Sequence, residues 1–153
     1  MQPVNSDVIA RIRTAFPAQN IQFDRALTGG LDGGEYRTQV HGKTWLELDR
    51  AYVLKRSDVL SFLEPADLIS VLPVYLCSLV EDGTRTPVPD TLLLVLDPDA
   101  EPRFAQIFAA MTPAQRDAVV AVLEFFAAHE SGKPGDMARA AVQQWRSHQS
   151  RNP

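Results

Sequence analysis

The chain has 153 residues, of which 45% are hydrophobic and 22% charged, with a net charge of −4. That length fits one domain with a core of its own. The acidic balance disfavours nucleic-acid binding, which wants a basic patch to neutralise phosphates. Cys77, the single cysteine, excludes an internal disulfide framework and fits a reducing compartment.

The start, Met1 to Asp7, has neither a basic cluster nor an apolar run, so a cleaved signal peptide is not expected. Asn5 or Ser6 can cap a first helix, in which Val8, Ile9, Ile12 and Phe16 recur at helical spacing until Pro17 stops it. Residues 17–43 are the least helical part. Ile21-Gln22-Phe23 and Tyr36 to Val40 alternate with period two around the glycine-rich stretch Thr28 to Gly34. The pattern fits either a short β-hairpin near residues 21–40 or a loop.

Lys43 or Thr44 opens a second helix carrying Trp45, Leu46 and Leu48, and Asp58 to Leu63 reads as a short helical piece. Trp45 is expected in the core. Pro65 suits the first turn of a new helix, where its missing N–H costs nothing. Leu68, Ile69, Leu72, Leu76, Leu79 and Val80 then repeat at three and four, with Pro73 inside the pattern. An internal proline removes a backbone bond and clashes with the preceding turn, so a kink or a split is predicted. The apolar run Leu68 to Val80 has 13 residues, too short to span a bilayer. Gly83 ends the helix.

The next stretch is punctuated by Pro87, Pro89, Pro98 and Pro102. Asp90 can cap one or two helical turns over Thr91 to Leu96, although the length alone does not separate helix from strand. Thr112-Pro113-Ala114-Gln115 is the clearest boundary: a cap, a proline at the first position and a glutamine to complete a capping box. That helix runs to about His129. Gly132, Pro134 and Gly135 interrupt, and a last helix covers roughly Asp136 to His148, leaving residues 149–153 as a frayed tail. The expected fold is mainly α, a single helical domain over residues 1–148 around a proline-kinked central helix, in a soluble cytoplasmic protein.

Motifs of catalysis are missing. Gly42-Lys43-Thr44 lacks the glycine five residues earlier that a phosphate loop needs; Arg37 stands there. His129-Glu130 has no second histidine one turn on, and His41, His129 and His148 are scattered. Cys77 falls on the apolar face, where a thiol packs rather than reacts. Asp97-Pro98-Asp99 lacks the glycine and distal glutamate of a calcium loop. No catalytic residue, metal ligand or cofactor is assigned.

Charge is distributed unevenly. Between residues 81 and 101 the acids Glu81, Asp82, Asp90, Asp97, Asp99 and Glu101 are opposed only by Arg85, a net −5, so the rest of the chain sums to +1. This window is the candidate contact surface for a basic protein partner. Trp145, near the end of the chain, is a candidate exposed anchor for the same partner.

Trp45-Leu46-Glu47-Leu48, Phe62-Leu63-Glu64-Pro65, Leu72-Pro73-Val74-Tyr75-Leu76 and the late Met111-Thr112-Pro113-Ala114-Gln115 before an apolar helix resemble, in their order, a family of small uncharacterised bacterial proteins. That family shares a pattern of W-x-x-L, F-L-x-P, L-P-x-Y-L and a late L-T-x-x-Q. The resemblance covers about residues 40–128 and departs from the family at Asp67 to Val71, where aromatics are usual. It implies a bacterial origin and no activity. Three readings follow. One is a non-enzymatic binding protein, such as an immunity protein that covers a basic toxin with its acidic window. A second is a regulatory or structural subunit that docks through its helices. The third is a small enzyme assembled from distant residues such as His41, Glu47 and Asp49.

Overall fold

The computed structural model describes residues 5–23 and 33–152. Among them the chain forms eight α-helices, three short 3-10 turns and no strand. The helices are α1 (Asn5–Ala15), α2 (Gly33–Val40), α3 (Arg50–Lys55), α4 (Pro65–Glu81), α5 (Val88–Val95), α6 (Phe104–Ala110), α7 (Pro113–His129) and α8 (Gly132–Arg151). The turns cover Trp45–Glu47, Ser57–Ser61 and Gly83–Arg85. No described helix is long and apolar enough to cross a membrane.

The mainly helical expectation holds, and α4 is its hub. It packs against α1, α3, α5, α6 and α7, and everything from Val71 to Val80 is buried. Pro73 does not split it: one helix continues through the proline. The proline has no N–H to offer the carbonyl four residues back, so the Ile69 carbonyl loses its helical donor. Helices α7 and α8 form a long antiparallel pair behind this hub, and α1 lies across α4 and α7.

The β-hairpin is a misreading. Tyr36 and Val40 are four residues apart, and that spacing serves one face of a helix as well as it serves a strand. They bury that face completely in α2. Ile21 pairs instead with the chain after α2: its N–H donates to the Lys43 carbonyl (2.8 Å) and its carbonyl accepts from the Gly42 N–H (2.7 Å). The Arg37 side chain donates to the Phe23 carbonyl at 2.8 Å, and the Phe23 N–H donates to His41 Nδ1 at 3.2 Å. Most of the glycine-rich turn expected within the hairpin lies outside the described residues.

Boundaries follow local chemistry. Thr112 and Gln115 exchange the two bonds of a capping box, at 3.1 and 3.0 Å, with Pro113 at the first helical position. Thr44 does the same with Glu47, which starts a 3-10 turn, and Asp49 then caps α3. Asp90 is not the cap of α5. The helix begins two residues earlier, with Pro89 in its first turn, and Asp90 stands near the positive end of the helix dipole.

Helix α8 starts four residues before the expected Asp136 and ends at Arg151 rather than His148. Pro134 falls in the first turn, where a missing N–H costs nothing. Gly135 is required for a different reason: a β-carbon there would collide with the Glu130 carbonyl, so the glycine sets how closely α8 follows α7.

Candidate functional site

The six acids of the charged window do not form one patch. Glu81 and Asp82 end α4. Asp90 lies in the first turn of α5, beside the start of α8. Asp97 and Asp99 occupy the connection to α6, where Asp99 faces the second half of α8. Glu101 turns inward, its side chain 9% exposed.

Most of these acids are engaged inside the molecule. Asp97 accepts from the Asp99 N–H at 2.9 Å, and Asp99 accepts from Gln144 at 2.7 Å. Glu101 pairs with Arg103 at 2.6 Å, and Arg103 also donates to the carbonyls of Leu60 and Leu63. Burial pushes the Glu101 carboxyl up, but the Arg103 hydrogen bonds outweigh it and hold the group below the usual carboxylate range. Glu101 is therefore a brace between the start of α6 and the Ser57–Ser61 turn.

Trp145 is not an exposed anchor. It is fully buried, and its Nε1–H donates to the Leu96 carbonyl at 2.8 Å. Phe104 meets it edge-on at 5.3 Å between centroids, and Phe108 lies at 5.5 Å. Its place near the end of the chain suggested a rim residue, but α8 folds back over α5 and α6 and carries it into the core. Trp45 is buried as expected, donating to the Phe16 carbonyl at 2.8 Å.

The residues of the enzyme reading each serve local structure. His41 holds the Phe23 N–H, Glu47 closes the box on Thr44, and Asp49 caps α3. Burial and the nearby Glu81 push the Cys77 thiol up to about 11, so it stays protonated near neutral pH. Among the described residues no group of three or more His, Cys, Asp or Glu side chains could hold a metal ion.

One place does collect groups with chemical potential. A cleft of about 330 Å³ lies where α4 and α7 end together, lined by Glu81, Asp82, Arg85, Phe125, His129 and Glu130. Both helices present their carbonyl ends here, the negative pole of the helix dipole. Acids at that pole are opposed by it, at roughly 0.3–1 kcal/mol each. Arg50 offsets this by bridging Glu81 at 2.9 Å and Asp82 at 2.8 Å, while Arg85 donates to the carbonyls of both residues.

Ser78, buried on the last turn but one of α4, adds a hydroxyl to Asp82 at 3.0 Å. The left-handed Gly83, at φ 60°, turns the chain tightly enough for the Glu130 carboxylate to rest against it. That carboxylate makes no ion pair or hydrogen bond among the described residues. The His129 ring stacks on Phe125 at 4.1 Å, and its Nδ1 lies 2.8 Å from the Phe125 carbonyl, which orients Nε2 outward. The result is an aromatic floor, two helix C-termini and one uncommitted carboxylate: an arrangement that favours a planar cation. Glu130 lay outside the charged window in the sequence. The signal for it was its place one residue past an α-helix, beside an aromatic pair.

A family model described as a family of unknown function (DUF6714) matches residues 4–150. The chain belongs to that family. The match spans the whole helical assembly, α8 included, and so extends well beyond the stretch that carried the resemblance. No curated protein and no solved structure matches the chain.

Proposed function

We propose that this DUF6714 protein is a non-enzymatic, cytoplasmic binding protein that takes a basic protein surface through the cleft at the ends of α4 and α7. The supporting observation is the placement of Glu81 and Asp82 at the C-terminal pole of α4, against the dipole, next to the uncommitted Glu130. Sequences break a local rule of this kind chiefly where function asks for it. An arginine side chain would suit the cleft: its guanidinium can stack on the exposed His129 ring, which Phe125 backs, and pair with Glu130. In a bacterial cell the reading extends to an immunity protein that neutralises a toxin by covering its basic face.

Affinity capture at low and at high salt, with the bound protein identified, tests this. A basic protein retained at low salt and released at high salt is the expected result. Capture that ignores salt, or of an acidic partner, would overturn it. The alternative of a regulatory or structural subunit docking through its helices draws on exposed apolar side chains, Leu46, Phe62 and Leu94. It predicts salt-insensitive capture.

A further inference from the structure

A second pocket, of about 270 Å³, opens between the first turns of α5 and α8. Pro89, Leu94, Pro134 and Met137 make its apolar walls, and Asp90 and Lys133 stand at its rim. Leu94 is 49% exposed, in a helix whose other leucines, Leu92 and Leu93, are buried. Lys133 occupies the first turn of α8, the end at which the helix dipole disfavours a cation. Neither rim charge has an ion pair or a side-chain hydrogen bond among the described residues, with each other or with anything else. The Ser131 side chain makes no capping bond, so the N-terminal pole of α8 is not closed by its own cap residue.

Here are opposite charges at the rim, one from each helix, with apolar side chains lining the pocket and a helix pole beside the positive one. We propose that this pocket binds a small zwitterion with an apolar side chain, an α-amino acid of leucine type. The ligand ammonium faces Asp90, the carboxylate faces Lys133 and the open pole of α8, and the side chain lies on Leu94, Pro134 and Met137. A carboxylate there relieves Lys133 of its unfavourable place. The volume falls just below the usual range of ligand sites, which suits a single amino acid better than a drug-sized molecule. The pocket is built from residues other than those of the acidic cleft, so the proposal stands or falls independently of the protein-binding reading.

The test is methyl and amide NMR of the full chain titrated with three probes: L-leucine, its amide, which lacks the carboxylate, and N-acetyl-leucine, which lacks the ammonium. Leucine is expected to give saturable shifts confined to Leu94, Met137 and the first turn of α8, and each blocked probe to bind about tenfold or more weakly, the loss of one charge contact. Asp90→Asn should weaken leucine and leave N-acetyl-leucine unchanged. Lys133→Gln should weaken leucine and leave the amide unchanged. Both positions are exposed, and an unchanged spectrum elsewhere confirms the fold. No saturable shift at about 10 mM leucine, ten times a Kd of ~1 mM, would overturn the proposal. So would equal binding of the three probes, or sedimentation showing that a second copy of the chain covers the pocket.

Discussion

At the scale of single residues, hydrogen bonds between buried groups, such as those of Tyr36, Tyr75, Trp45 and Trp145, help to hold the core together. Tyr36 and Tyr75 share a hydrogen bond at 2.9 Å, and the Tyr75 hydroxyl also lies 2.9 Å from the Val53 carbonyl. One hydroxyl hydrogen on Tyr75 cannot serve both, so Tyr36 donates to Tyr75 and Tyr75 donates to Val53. Tyr75→Phe strips a partner from two buried groups and Tyr36→Phe from one. The first is expected to cost about 1–3 kcal/mol and the second less, as read from urea unfolding. Equal costs would contradict the order of donation.

Trp145→Phe orphans the buried Leu96 carbonyl, with an expected loss of about 1–3 kcal/mol. A change within about 0.5 kcal/mol, the usual range for an exposed site, would contradict the core role. The hydrophobicity of Trp145 was plain, but whether a tryptophan near a chain end turns inward depends on a fold-back that no local pattern records.

At the scale of elements, the capping chemistry was the most legible part. Thr112, Pro113 and Gln115 announced α7 because a cap, a proline and a reciprocal glutamine act within four residues. Thr112→Ala should cost about 1 kcal/mol in the same unfolding experiment. The hairpin failed for the complementary reason: Tyr36 and Val40 fit both periods, and the deciding contacts, from Ile21 to Gly42 and Lys43, come from outside the segment.

Pro73 makes a second test at this scale. Pro73→Ala returns an N–H to the Ile69 carbonyl and leaves a small gap where the buried ring was. These effects oppose each other, so a net change within about 1 kcal/mol is expected, against 2–5 kcal/mol for Leu72→Ala one residue earlier. The glycines near 132 read as a break, and one of them, Gly135, instead allows α8 to lie close to α7.

At the scale of the whole molecule, the sequence conveyed the charge asymmetry but not its geometry. Six acids within 21 residues look like one surface along the chain. The fold sends Glu101 inward, assigns Asp99 to α8 and gathers Glu81 and Asp82 with Glu130, whose position 29 residues past the end of the window hid it. Global stability should also fall in alkali. Burial raises the Cys77 thiol from 9.0 to about 11 and raises Tyr36 and Tyr75 as well. The folded state therefore keeps protons that the unfolded chain releases, and stability declines as pH rises from about 9 toward 11. Thermal melts at about pH 7, 9 and 10.5 check this. An unchanged or rising Tm would contradict the burial of these groups.

The cleft at the ends of α4 and α7 is the proposed seat of a basic partner. The most direct measurement compares the affinity of the captured protein for the wild type and for Glu130→Lys. Glu130 is chosen because reversing Asp82 or Glu101 would break the Arg50 and Arg103 braces and confuse folding with binding. A melting temperature that is unchanged or raised, because the dipole at the end of α7 favours a cation there, is expected together with a loss of affinity of at least tenfold, about 1.4 kcal/mol, largest at low salt. Equal affinity of the two proteins at low salt would contradict it.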